Sequence, residues 1–230
     1  MTIKEIKAKK STWDRTWSKR KKIKIDNTNL VIFNKIKEHV NFKNKDILEL
    51  GAGGGRLSWL ALKNGAHSVT LIDYSQQALN HAQKLFGESF KKVSFIQADL
   101  FKFKSPKKYD LVFSSGLIEH FKGQKFNQCV QKHFNLSKDL VLFIVPASPH
   151  YNDLRAKMKN TIRDFGWQRP IKLSKMKEIC CQSKAKILIN QRFYGLYGTS
   201  YLSLIPLPKF IDKKIGGLII TICKNDKKNN

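Results

Sequence analysis

Apolar positions in this chain come in short, dense blocks. Asp46 to Leu50, Ser68 to Asp73, Val93 to Gln97, Tyr109 to Phe113 and Leu140 to Val145 are runs rich in Ile, Leu, Val and Phe, with turn-forming or charged residues around them. Runs that are apolar at nearly every position belong to strands buried on both faces, as in a parallel sheet. Between them the spacing turns helical. Thr28 to Val40 places Leu30, Ile32, Phe33, Ile36 and Val40 near one stripe. Arg56 to Asn64 reads as a helix stopped by Gly65. Ser75 is positioned to cap a helix running to Leu85 or Phe86, and Phe121 to Phe134 is mostly helical. Residues 101–108 read as a loop or an eroded helix, and Pro146 is expected to end the fifth strand. Beyond it, 148–170 read as an irregular insertion, Lys172 to Gln182 as a helix, and Lys186 to Phe193 and Gly217 to Cys223 as two more strands. The last two flank a long loop rich in Tyr, Gly and Pro. The pattern predicts an α/β fold: a doubly wound, mostly parallel, seven-stranded sheet with helices on both faces.

The first strand runs directly into glycines. "ILELGAGGGRL" holds four of them within five positions. Glycine in regular structure costs roughly 0.5–1 kcal/mol relative to alanine, so a cluster implies a need for bare backbone. In an open parallel sheet, ligands sit beyond the carboxyl ends of the strands. A glycine turn into a helix lets backbone approach a ligand and presents helix N–H groups to it. An acid near the end of the second strand, about 20 residues on, commonly takes ribose hydroxyls. Asp73 stands there, so a nucleoside cofactor is expected.

The spacing here is G-x-G-x-G (Gly51, Gly53, Gly55), preceded by Glu49, not the dinucleotide G-x-G-x-x-G. With "QADL" and "YDLVFSSGLIEHF" following in order, residues 45–147 resemble the class I, Rossmann-like S-adenosylmethionine-dependent methyltransferases, and "VPASPHYNDLR" (145–155) and "FGWQRP" (165–170) resemble their small-molecule, lipid and sugar branch. The resemblance implies S-adenosyl-L-methionine as cofactor. It places Gly51, Ala52, Gly53 and Gly55 under the methionine part, and Glu49 on that loop or on the amino group. Asp73 would take the ribose hydroxyls, with Tyr74 beside it. Asp99 would meet the adenine amine, with Leu100 against the ring, and Ser115 and Gly116 would line the methyl-donor channel. His120 recurs at its place in small-molecule members. A structural helix-start histidine is an equal reading of it. His120, His150 and Tyr151 are the candidate catalytic residues.

Composition refines this picture. The net charge is +27, with Lys and Arg numbering 44 against 17 Asp and Glu. Residues 1–45 carry 14 basic and 4 acidic residues, residues 148–230 carry 17 and 5, and the middle 13 and 8. Such a balance fits nucleic acid or an anionic membrane surface. Lysines outnumber arginines 37 to 7, which fits compositional drift as well. The four cysteines lack metal-ligand spacing and are expected to be free thiols, with Cys180 and Cys181 read as packing; no metal is expected. No apolar run approaches a bilayer span and the N-terminus lacks a secretion signal, so a cytoplasmic address is expected. His39, His67, His81 and His133 read as surface residues, and Asp110 as structural.

Residues 1–28 form a basic segment whose Trp13 and Trp17 are either packing anchors or a lid. Residues 29–230 would be one domain with substrate-side insertions at 146–170 and 194–216. His150, Tyr151, Trp167 and Tyr197 are the pocket candidates. Arg56 is read as a solvated helix position. The fourth strand is followed by Ser114-Ser115-Gly116-Leu117, without the Pro-Pro motif of base-amine methylation. A nucleophilic cysteine after Pro is missing, and the acids that metal-dependent catechol methylation would want near Ser115 are not found. The expected activity is methyl transfer to an oxygen or nitrogen of a small or amphiphilic metabolite. The alternatives are an RNA or other nucleic-acid methyltransferase and a non-catalytic cofactor-binding protein.

Overall fold

Strands β1 (Asp46–Leu50), β2 (Ser68–Asp73), β3 (Val93–Gln97), β4 (Tyr109–Ser115) and β5 (Ser137–Ser148) lie parallel in the order 3-2-1-4-5. The chain builds outward from β1 to β3, then returns to the other side of β1. The switch point therefore lies between β1 and β4, where an α/β sheet opens a crevice at its carboxyl edge. These relations come from a computed structural model, which describes residues 10–20, 24–194 and 208–226.

The predicted strands form with few changes. β5 runs through Pro146. Ile144 accepts the Gly116 N–H at 2.9 Å on the β4 side, and the Ala147 N–H donates to Gly217 at 2.9 Å on the other side. Alternation then turns position 146 toward β4, which has already ended at Ser115. The missing proline N–H thus costs no ladder bond, and the strand continues. β7 (Lys186–Phe193) and β8 (Leu218–Lys224) complete the seven, with β8 antiparallel to both β5 and β7. An eighth strand, β6 (Ile171–Lys172), pairs with the far end of β5.

Nine helices appear among the described residues. α2 (Asn27–Lys37) is closed by a capping box between Asp26 and Asn29. α3 (Arg56–Lys63) leaves the glycine turn, and α4 (Gln76–Phe86) is capped by Ser75 as expected. α5 (Gly123–Leu136) follows a 3₁₀ turn at Ile118–His120. The link 98–108 holds no helix. The segment expected to be irregular forms α6 (Tyr151–Arg155) and α7 (Lys159–Phe165), then α8 (Leu173–Gln182). α9 (Lys209–Ile215) precedes β8. Tyr197, and parts of the 1–28 and 194–216 segments, lie outside the described residues.

Two apolar layers sandwich the sheet. One joins α2, α3 and α4 to Leu71, Leu111 and Leu142; the other joins α5 and α8 to Val141, Phe143 and Ile219. His133 belongs to the second layer, which corrects its reading as a surface residue. It is fully buried on α5, with Nε2 2.9 Å from Ser114 Oγ and Nδ1 2.8 Å from the Cys129 carbonyl. Cys181 is exposed, whereas its neighbour Cys180 packs in the core with its sulfur 2.7 Å from that of Cys223. Asp110 is structural: it accepts the Asp46 N–H at 2.9 Å and pairs with Lys138.

α1 (Lys10–Ser18) lies outside this sandwich and packs on α4 and α7. Polar side chains at positions 14–16 tie it to both neighbours. Asp14 accepts from Ser75 Oγ at 2.6 Å, and Thr16 and Arg15 donate to the carbonyls of Asp164 and Arg163.

Candidate active site

The carboxyl ends of β1, β2 and β4, with α1 above them, enclose a cavity of about 850 Å³. This lies within the usual range of about 300–1,000 Å³ for small-molecule sites, toward its upper end. Every residue expected to bind the cofactor lines it: Glu49, Gly51, Ala52, Gly53, Gly55, Asp73, Tyr74, Asp99, Leu100 and Ser115. Leu48 and Leu50 point into the core on the face opposite Glu49, and that alternation brings the Glu49 carboxylate to the glycine turn.

Local hydrogen bonds hold the acids. Asp73 Oδ2 accepts the Gly53 N–H at 2.7 Å, and Oδ1 accepts the Ser75 N–H at 2.8 Å. One carboxylate therefore joins the glycine turn to the start of α4. Burial raises its pKa against these bonds. Glu49 accepts from Ser58 Oγ of α3 at 2.6 Å, and burial pushes its pKa up to about 8. Asp99 Oδ1 accepts the Phe101 N–H at 2.9 Å, which fixes the turn after β3.

The glycines serve the protein's own packing as well as any ligand. A Cβ on Gly53 would stand 2.5 Å from Trp17 Cζ2, so the α1 indole rests on bare backbone. A guanidinium, that of Arg20, lies 4.4 Å from the same ring. Arg56 is not simply solvated: it lines the cavity and donates to the Lys24 carbonyl at 3.0 Å.

The cavity continues beyond the glycine turn to Trp13, His120, Pro146, Arg155, Phe165 and Trp167. His120 Nδ1 lies 3.0 Å from the Trp167 carbonyl. A carbonyl only accepts, so Nδ1 carries the hydrogen and Nε2 keeps the lone pair. Trp13 meets this imidazole edge-on, with centroids 5.1 Å apart. Burial lowers the His120 pKa to about 4, so the ring is neutral near pH 7. Both tryptophans of α1 thus line the cavity, and α1 is at once anchor and cover.

His150 and Tyr151 do not line the cavity. His150 precedes α6, where its N–H donates to Asp153 Oδ2 at 2.9 Å, and Tyr151 is exposed. His81 packs against Trp17 and is not a free surface group.

Sequence reasoning passed over Glu119. It lines the cavity yet is only 2% exposed, and its Oε2 has no hydrogen-bond partner. Oε1 would be 3.5 Å from a Cβ on Gly116, so an acid does stand beside Ser115, contrary to the expectation. Its place next to His120 in "LIEHF" was the only available signal. Burial pushes its pKa up to about 8. A carboxyl raised in the folded state stays protonated after the unfolded chain has released its proton. Its contribution is therefore present below about 4.5 and lost as pH rises toward 8. His120 and His133, both lowered to about 4, act oppositely, costing stability as pH falls from 6.5 toward 4. Between pH 6.5 and 8 only the two glutamates of these four groups contribute, and the denaturation midpoint is expected to fall. Glu119→Gln should flatten that slope by up to about 1.4 kcal/mol per pH unit. An unchanged slope in chemical denaturation at several pH values would refute the assignment.

Residues 47–139 match the family model described as a methyltransferase domain. The chain is 29% identical over 145 residues to malonyl-[acyl-carrier protein] O-methyltransferase 2 of Ilyobacter polytropus, covering 62% of this chain and 55% of that one. In general the chain spans about half the length of the first curated relatives it matches. Its fold is similar to magnesium protoporphyrin IX methyltransferase from Synechocystis, solved with S-adenosylhomocysteine. That match has a TM-score of 0.64 and 14% identity, and it covers 94% of this chain and 93% of that one. The N-methyltransferase NodS from Bradyrhizobium japonicum, also solved with S-adenosylhomocysteine, gives a TM-score of 0.66 at 10% identity, covering 94% and 98%. Residues 47–139 thus carry a methyltransferase domain, within a fold similar to that of methyltransferases solved with S-adenosylhomocysteine.

Proposed function

We propose that the protein transfers the methyl group of S-adenosylmethionine to an oxygen or nitrogen of a small or amphiphilic acceptor. The observation that carries this reading is one continuous cavity. It joins the glycine turn, Asp73 and Asp99 to an aromatic chamber around His120. The donor set fits the cofactor: two acids suited to hydroxyl and amine donors, a buried acid at Glu49, and bare backbone at the turn. S-adenosylmethionine supplies an activated sulfonium methyl when bound. The named relatives that act on oxygen and on nitrogen support an acceptor of either kind.

Asp73 and Asp99 would hold the ribose and adenine ends. Trp13, Phe165 and Trp167 exclude water and present flat apolar faces to the acceptor. His120, held neutral by burial and fixed in one tautomer, offers the Nε2 lone pair to the acceptor's proton. Most of the acceleration then comes from proximity and orientation, potentially several kcal/mol.

The test is calorimetric titration with S-adenosylmethionine and its demethylated product, followed by labelled methyl transfer into metabolite, lipid and RNA pools. Binding of both ligands and label in a small-molecule or lipid fraction is expected. Failure of the folded protein to bind either ligand would overturn the cofactor reading. Label confined to RNA would overturn the acceptor class.

A further inference from the structure

Large apolar side chains that stay in solvent are unevenly placed. Among the described residues, Leu30, Tyr74 and Leu188 are scattered, but Tyr151, Leu154 and Met158 follow one another around α6, and Phe210 and Ile215 lie on α9. Leu154 is 67% exposed and Phe210 69%. The turn that follows α9 is joined to α6. Asn152 of α6 donates to the Gly217 carbonyl at 2.6 Å, two residues beyond Ile215. Neighbours of the group line the cavity: Arg155, next to Leu154, and Leu218, three residues beyond Ile215.

Lysines frame this apolar group. Lys157 and Lys159 flank Met158, and Lys213 and Lys214 precede Ile215, all four exposed. The acid within α6, Asp153, is turned inward onto Ser148 Oγ at 2.9 Å and the His150 N–H. We infer that this face docks on an anionic lipid bilayer, apolar side chains entering the interface and lysines meeting the headgroups, with the cavity mouth toward the membrane.

Charge complementarity selects this occupant. Exposed apolar side chains ringed by lysine suit a surface that is apolar inside and anionic outside. A second copy of the chain in a two-fold contact would set these lysines against their own equivalents. A nucleic acid would meet the lysines but leave the apolar centre without a counterpart. That the membrane also delivers an amphiphilic acceptor to the cavity rests on the proposed function; the docking itself does not.

Sedimentation with vesicles tests it, using the full chain and phosphatidylcholine with or without about 30% phosphatidylglycerol. Wild type should bind the anionic vesicles at least tenfold more tightly than the neutral ones. Leu154→Ser with Phe210→Ser should reduce that binding at least fivefold, and Lys157→Glu with Lys213→Glu should do so too, while S-adenosylmethionine affinity is unchanged in both. Three results would overturn the inference. One is binding that survives loss of the apolar pair, which is bulk charge attraction. Another is no binding to either vesicle. The third is a concentration-dependent dimer that the apolar variant abolishes. Normal vesicle binding by a protein that fails to bind S-adenosylmethionine would instead count against the cofactor reading alone.

Discussion

Asp73→Asn weakens S-adenosylmethionine binding by about a hundredfold in a calorimetric titration. The carboxylate is held by two N–H donors, from Gly53 at 2.7 Å and Ser75 at 2.8 Å, and is oriented before any ligand arrives. Hydrogen bonds to a charged acceptor contribute about 1.5–3 kcal/mol each. With the amide, one bond to a ribose hydroxyl would be lost and the other would lose its charge, which together corresponds to roughly a hundredfold in affinity. The amide also cannot accept from both N–H groups, because one end becomes a donor. The glycine turn should therefore loosen, and unfolding free energy should fall by a smaller amount, about 1–2 kcal/mol. An affinity within threefold of wild type would show that Asp73 serves only to tie the turn.

Gly55→Ala should be the most destabilising single-methyl change in the turn, at about 2–5 kcal/mol in denaturant unfolding. Gly55 has φ of 64° as it leads into α3. A left-handed conformation costs a non-glycine residue roughly 1–2 kcal/mol. The added Cβ would also lie 2.3 Å from Leu71 Cδ2 and 3.0 Å from Phe86 Cε2, both in the core. Overpacking of that kind adds about 1–3 kcal/mol. Gly123→Ala is the control: φ is 53°, but nothing lies within 4 Å of the added carbon. It should show the backbone cost without the clash. Equal effects at the two positions would mean that Leu71 moves aside freely.

Gly55 also shows where sequence reading reaches its limit. Its glycine was read as room for a ligand, and it does stand at the cavity. The demand on its Cβ, however, comes from Leu71 and Phe86, residues 16 and 31 positions away. The same holds for Gly53 beneath Trp17. Local spacing shows that bare backbone is needed; contact with distant side chains shows what needs it.

Sequence alone determined the strands, the α/β order, the glycine turn and the acids at the ends of β2 and β3. All of these follow from short-range periodicity, or from turn chemistry that acts within a few residues. Tertiary structure decided the remainder. It brought α1 across the cavity through Asp14 to Ser75 and Thr16 to Asp164, and it buried His133 against Ser114. It chose His120 over His150 for the chamber and placed Glu119 beside Gly116. It let β5 pass through Pro146 because β4 had ended. A periodic pattern reports which face of an element is apolar, but the partner that face meets is set by the packing of the whole sheet.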